Sequence, residues 1–130
     1  MTVPELSRSI HVFRSDEIIA DVLACVAAGA AEIHVHPRSE TGTESLWAVD
    51  TTVNAIRRVC PGTLIGVSTG GWIEGCTENT KSAIFAWKLK PDYASVNLSE
   101  ADSAEIVNLL CERHIAAISD IPYQGKYLFV

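Results

Sequence analysis

The fold of this chain is decided at residues 27–38, AAGAAEIHVHPR, where one hydrophobic period gives way to another. Before this stretch, residues 16–28 carry apolar side chains at helical spacing, which predicts a helix that ends at Gly29. Residues 31–36 then have the length and composition of a short strand. A helix that leads directly into a buried strand is typical of a parallel α/β sheet.

The same alternation continues along the chain. The pattern predicts, in order, helix 46–59, strand 63–68, helix 77–89, strand 93–97, helix 101–113 and strand 115–118. Helices that alternate with short, mostly apolar strands indicate parallel βαβ units. We therefore predict an α/β fold whose parallel sheet is buried on both faces.

The composition predicts one globular domain over residues 1–130, because 48% of the residues are hydrophobic and 20% are charged. The net charge of -6 argues against nucleic acid as a partner, since binding phosphates requires clustered Lys and Arg. The sequence has no recognisable signal peptide and no apolar run that would span a membrane. The four cysteines form no C-x-x-C pair, and Cys25 and Cys111 fit buried positions. We expect a cytoplasmic protein with reduced thiols.

His34 and His36 are the strongest candidates for chemistry. They are two apart on a predicted strand, so both imidazoles lie on one face at the strand's carboxyl end. Sites in parallel α/β folds are built at that end. Two imidazoles there predict a site for Zn²⁺ or a similar ion. The alternative is a pair of histidines that are hydrogen-bonded to carbonyl groups or packed in the core.

A catalytic zinc ion needs a third protein ligand. Glu100 follows the third predicted strand and Asp120 follows the fourth, and either is a possible ligand. His11 and His114 are weaker candidates, since His114 ends a helix, where a cation is favoured without any metal.

The second strand ends in Ser68, Thr69, Gly70 and Gly71. A Gly-Gly pair permits a sharp turn and leaves backbone amides free to face an anion, while the two hydroxyls add donors. The stretch therefore predicts binding of a carboxylate or phosphate. The alternative is an ordinary turn.

Ser95 and Asn97 alternate on the third predicted strand, so they share a face where buried polar groups need partners. A ligand pocket or a bonded core network would supply these partners. Arg38 follows the histidine pair and is a candidate to bind a carboxylate through its two-pronged guanidinium group. Trp72 and Trp87 are interpreted as packing residues.

Three motifs in order resemble the β-keto acid cleavage enzyme family. They are the run from Ala27 to Arg38, the run from Gly66 to Glu74, and the run from Pro91 to Glu100. The resemblance extends over residues 15–115 and fades near Ala116. It implies a (β/α) TIM barrel with zinc at the carboxyl ends of the strands. It also implies that a β-keto acid and acetyl-CoA are converted to acetoacetate and an acyl-CoA.

The resemblance also implies roles for individual residues. His34 and His36 correspond to zinc ligands. Ser68 and Ser95 correspond to catalytic hydroxyl groups, and Asn97 lies beside them in the pocket. Zinc would polarise the keto oxygen, and the backbone after Ser68 would orient the substrate carboxylate.

The chain is short for this family, since a full barrel has about 250 residues. Its third zinc ligand, a Glu on a late strand, has no counterpart here, nor has the Glu of a first strand in residues 1–13. We expect a partial barrel, resembling the N-terminal half, whose open sheet edges favour a homo-oligomer. Two alternatives are a catalytically incomplete remnant or interaction module, and a small α/β domain that binds an anionic ligand.

Overall fold

The computed structural model describes residues 15–119. Helices and strands alternate throughout this part of the chain. The elements are α1 (Ser15–Ala27), β1 (Glu32–Val35), a 3₁₀ helix (Leu46–Ala48), α2 (Val49–Val59), β2 (Leu64–Ser68), α3 (Gly71–Glu74), α4 (Thr77–Ala86), β3 (Tyr93–Val96), α5 (Ser103–Glu112) and β4 (Ala116–Ser119). The predicted order of helices and strands is therefore confirmed.

Within residues 15–119 the strands form a four-stranded parallel sheet in the order β1-β2-β3-β4. Each strand pairs with the next one along the chain, and at least one helix connects each pair. This is the arrangement of part of a (β/α) barrel, so the predicted fold class is confirmed. The strand order also brings the carboxyl ends of β1, β2 and β3 to one edge, next to one another.

The hydrophobic core lies between the helices and one face of the sheet. The helices contribute Ile18 and Val22 from α1, Val53 and Ile56 from α2, and Ile106 and Leu110 from α5, among others. The strand residues of this core all belong to the same face: Ile33, Val35, Ile65, Val67, Ala94 and Val96. Burial of such side chains stabilises the fold by about 25 cal/mol per Å² of apolar surface.

The prediction that both faces of the sheet are buried holds only in part for the described residues. His34, Ser68 and Ser95 are buried on the face opposite the core. On the face opposite the core, Leu64 is 49% exposed and Ile118 is 40% exposed. These two side chains are exposed because the apolar stripes of the helices meet only the core face of the sheet.

Two predicted helices differ from the structure near a pair of tertiary contacts. The indole nitrogen of Trp87 donates to the carbonyl of Leu46 at 2.8 Å, and the chain from Leu46 to Ala48 forms a 3₁₀ turn before α2 begins. The amides of Lys88 and Leu89 donate to the Asp50 carboxylate, both at 3.0 Å, so α4 ends at Ala86 rather than at residue 89. These partners lie far away in sequence, which is why local periodicity missed them.

Cys25 is buried as predicted, but Cys111 is exposed on α5, so its predicted burial is wrong. Among the described helices none has the length and apolar character needed to cross a membrane.

Candidate active site

The histidine pair lies at the carboxyl end of β1. His34 is in the strand and only 5% exposed, while His36 follows the strand and is partly exposed. The centroids of the two rings are 5.5 Å apart and the ring planes are tilted by 55°. The structure therefore brings the two predicted ligands together on one face of the sheet, opposite the core.

The environment of His34 favours the neutral imidazole. Burial, and then the charge of His36, lower the pKa of His34 from 6.5 to about 3. A metal ligand must be neutral imidazole, because a protonated ring nitrogen has no lone pair to give. His34 is therefore in the protonation state that a divalent ion requires at neutral pH.

Tyr93 is a neighbour of this pair that the sequence interpretation missed. Its ring centroid lies 5.9 Å from that of His34, and its ring crosses the β2 backbone at Gly66, where a Cβ atom would be 2.0 Å from the ring carbon Cζ. Burial, and then Glu32 and Asp92, raise the pKa of Tyr93 to about 12, so its hydroxyl stays protonated. The signal in the sequence was a glycine inside a strand, which often marks such a close approach.

Ser68 and Ser95 lie opposite each other in the register of β2 and β3, and both are buried. The Ser68 hydroxyl accepts a hydrogen bond from the amide of Gly70 at 3.2 Å. The Ser95 hydroxyl is buried and has no hydrogen-bond partner within the part of the chain that the structure describes. The amide and the hydroxyl of Thr69 both donate to the carbonyl of Ser95, at 3.1 and 2.8 Å, and tie the two strand ends together.

The amide of Gly71 already faces a carboxylate from the same chain. It donates to both oxygens of Glu100, at 2.9 Å and 3.2 Å. A Cβ atom on Gly71 would lie 2.1 Å from Glu100 Oε2, so a side chain at this position would displace the carboxylate. The sequence predicted amides that would be free to bind an anion. In the structure, the Glu100 carboxylate is the anion at Gly71, whereas Gly70 donates to Ser68.

Arg38 and Asn97 are each engaged in a local turn. Arg38 Nη1 donates to the carbonyl of Gly42 at 2.9 Å, and the residue lines an open cavity of about 260 Å³ together with Trp47. Asn97 Oδ1 accepts from the amide and the hydroxyl of Ser99, at 3.1 and 2.7 Å. Asn97 also lies just beyond the end of β3.

Within residues 15–119 no group of three His, Cys, Asp or Glu side chains is arranged to hold a metal ion. Glu100, one of the two candidates for a third ligand, contacts Gly71 instead. Asp120 and His11 lie outside the described residues. His114 follows α5 in the left-handed conformation, with a φ of 58°, as the end of a helix allows.

One carboxylate that contacts the pair was not considered in the sequence interpretation. Glu44 Oε1 lies 2.5 Å from Nδ1 of His36, and Glu44 Oε2 accepts from the indole nitrogen of Trp72 at 3.1 Å. Trp72 is 59% exposed, although its ring packs against the backbone at Gly70, whereas Trp87 is buried as expected. Only a tertiary contact relates Glu44 to His36, and no motif in the sequence marked it.

Comparisons with known proteins identify relatives of this chain. The sequence model of the family described as beta-keto acid cleavage enzyme matches residues 12–124. The 3-keto-5-aminohexanoate cleavage enzyme of Acetoanaerobium sticklandii is 34% identical over 84 residues, which are 63% of this chain and 30% of that relative. The chain thus covers well under two thirds of the relative's length. The family match also continues past Ala116, where the resemblance was predicted to fade.

Proposed function

The chain belongs to the beta-keto acid cleavage enzyme family, and from this premise we propose that it forms part of a zinc-dependent enzyme. The proposed reaction converts a β-keto acid and acetyl-CoA into acetoacetate and a new acyl-CoA. The relative from Acetoanaerobium sticklandii is named for cleavage of a 3-keto acid, which supports a substrate of that chemical class.

The single observation that carries the proposal is the arrangement of His34 and His36. Their rings lie 5.5 Å apart at the carboxyl end of β1, and the buried His34 is neutral. Two nitrogen donors of this kind fit Zn²⁺, which prefers imidazole and carboxylate ligands. We propose that these two residues hold the ion, and that a third protein ligand completes its coordination. Bound there, zinc would supply Lewis-acid polarisation of the keto oxygen.

The serine pair fits the role of binding the polar groups of the substrate. The Ser68 hydroxyl already accepts from Gly70, so its own proton is available to a ligand oxygen. A buried hydroxyl such as that of Ser95 is stabilised when a bound ligand supplies a partner. We propose that Ser68 and Ser95 orient the reacting groups, and that Thr69 positions them by joining β2 to β3.

The remaining proposed contacts lie around this pair. Gly70 and Gly71 shape the backbone beyond β2, and we propose that they border the substrate carboxylate. Arg38 carries five N–H donors in a planar fork that suits a carboxylate, and we propose that it contributes to binding the substrate carboxylate. Asn97 retains its two amide protons for the substrate, since its oxygen is the atom engaged by Ser99.

The purified full chain tests this function in two steps. Elemental analysis should find close to one zinc per chain, and His34→Ala should lose most of it while His114→Ala, a histidine outside the site, retains it. Acyl transfer from acetyl-CoA with a panel of β-keto acids should then be abolished by His34→Ala and strongly reduced by Ser95→Ala. Zinc well below one per chain, or zinc that is unaffected by His34→Ala, would contradict the proposal.

A catalytically incomplete protein that acts through assembly is the second candidate. The observation that favours it is that residues 15–119 provide no group of three metal-binding side chains. The exposed Leu64 and Ile118 lie on the sheet face opposite the core, where a second copy would bury them. We expect a homo-oligomer on this ground, and light scattering of the purified protein would show it. Zinc-dependent turnover would exclude the non-catalytic candidate.

A further inference from the structure

The two carboxylate oxygens of Glu44 each form a hydrogen bond with a different aromatic ring. Oε1 is 2.5 Å from Nδ1 of His36, and Oε2 accepts the N–H of Trp72 at 3.1 Å. The side chains of Glu44 and His36 are 21% and 22% exposed, so water has limited access to this bond. An ionised carboxylate can only accept hydrogen bonds, so Nδ1 of His36 carries a proton.

The chain between the two residues is folded to make this contact. The amide of Ser39 donates to the carbonyl of Thr43 at 2.8 Å, and the amide of Gly42 donates to the carbonyl of Ser39 at 2.9 Å. Arg38 forms an isolated antiparallel bridge with Glu44. The chain thus turns back on itself after β1 and returns Glu44 to the side of His36, eight positions earlier in the sequence.

Trp72, which donates to Glu44 from the segment after β2, is also held in place. Trp72 lies in α3, immediately after β2, and its ring packs against Gly70, where a Cβ atom would lie 2.1 Å from two ring carbons. Another carboxylate joins the segment after β2 to the segment after β1, since Glu74 accepts the amide of Leu46 at 2.8 Å. Glu44 is therefore part of a contact between the loops that follow β1 and β2.

We propose that Glu44 is a positioning residue, which holds His36 with its proton on Nδ1 and so presents the lone pair of Nε2 to the metal ion. This inference rests on the proposed role of His36 as a ligand. The hydrogen bond made by one ring nitrogen sets which nitrogen remains for the metal. A carboxylate in this position also fixes the orientation of the ring and raises its basicity, and loss of such a partner weakens metal binding by about 10–100-fold.

The tautomer of His36 tests the proposal without any metal. Long-range ¹H–¹⁵N spectra of ¹⁵N-histidine-labelled, metal-free protein at neutral pH should show His36 protonated on Nδ1 and unprotonated on Nε2. His36→Gln assigns the signal. Glu44→Ala should shift the proton toward Nε2, whereas Glu40→Ala, which removes an exposed glutamate from the same loop, should not. A wild-type His36 that carries its proton on Nε2, or on both nitrogens, would overturn the proposal.

Zinc affinity, measured with Zn²⁺ in competition with a chromophoric chelator, tests the consequence. Glu44→Ala should weaken binding by about 10–100-fold. Glu44→Gln, which keeps one acceptor for two donors, should lie between Glu44→Ala and wild type. Trp72→Phe should cost a few-fold, on the order of one lost hydrogen bond at an exposed position. Glu40→Ala should stay within about twofold of wild type, as a surface substitution away from the site.

The outcomes separate this inference from the proposed function. If wild-type protein fails to bind zinc, the metal site itself is wrong and the inference fails with it. If His36→Ala abolishes binding while Glu44→Ala matches wild type, the site stands and the positioning role is refuted. If Glu44→Ala loses as much affinity as His36→Ala, Glu44 is itself a ligand, which also refutes positioning. Thermal unfolding of each variant establishes that it is folded.

Discussion

Replacement of Gly66 by alanine is the sharpest test of how the sheet face of the site is packed. Gly66 lies in the middle of β2 and is buried, and the ring of Tyr93 from β3 covers it. An ideal Cβ atom at this position would lie 2.0 Å from Cζ and 2.1 Å from Cε2 of that ring. Non-bonded carbon atoms prefer separations of about 3.5–4.0 Å, so the ring must move by roughly 1.5 Å or more.

Two opposing effects determine how Gly66→Ala changes the free energy of unfolding. Overpacking of this kind destabilises a protein by about 1–3 kcal/mol. Replacing glycine by alanine in a strand also stabilises the folded protein by about 0.5–1 kcal/mol, because it lowers the conformational entropy of the unfolded chain. Gly66→Ala should therefore lower the free energy of unfolding by about 0.5–2 kcal/mol in the presence of Tyr93. In a Tyr93→Ala background the same change should instead stabilise by about 0.5–1 kcal/mol.

Urea unfolding of the wild type, the two single variants and the double variant measures both numbers as a double-mutant cycle. The coupling energy between Gly66→Ala and Tyr93→Ala should be about 1–3 kcal/mol, as expected for residues in direct contact. Equal effects of Gly66→Ala in both backgrounds would refute the packing of Tyr93 over β2. They would also remove the ring contact between Tyr93 and His34 as a feature of the site.

Three further predictions follow from single contacts. Burial, and then the adjacent imidazole, lower the pKa of His34 from 6.5 to about 3. Between these values the unfolded chain binds a proton that the folded chain does not, so the free energy of unfolding of metal-free protein should fall below pH 6.5 by up to about 1.4 kcal/mol per pH unit. Urea titrations at several pH values should show this slope, and His34→Gln should reduce it. Gly71→Ala places a Cβ atom 2.1 Å from Glu100 Oε2, so the carboxylate must move and lose its bond to the amide, which should cost about 0.5–1.5 kcal/mol in the same assay. Glu100→Ala should remove most of that cost, and strictly additive effects would contradict the contact. Trp87→Phe leaves a buried carbonyl without its donor and should lower the free energy of unfolding by about 1–3 kcal/mol. Trp47→Phe, at an indole that is 55% exposed, should cost less than about 0.5 kcal/mol, and similar losses would refute a role for the Trp87 hydrogen bond.

The histidine pair shows where inference from the sequence succeeds and where it ends. The spacing of His34 and His36 was enough to place both rings on one face, since side chains alternate along a strand. The choice of Glu100 as a possible third ligand relied only on its position after β3. In the structure its carboxylate turns to the amide of Gly71, a partner 29 positions away in sequence that its own position did not indicate.

The sequence alone determined the alternation of helices and strands, the parallel sheet and the common face of His34 and His36. These features depend on hydrophobic period and strand geometry, which are local properties of the chain. The tertiary structure decided which groups meet across the loops, such as Glu44 with His36 and Tyr93 with Gly66. Such contacts depend on register and on the course of each loop, and no local pattern of residue types encodes them.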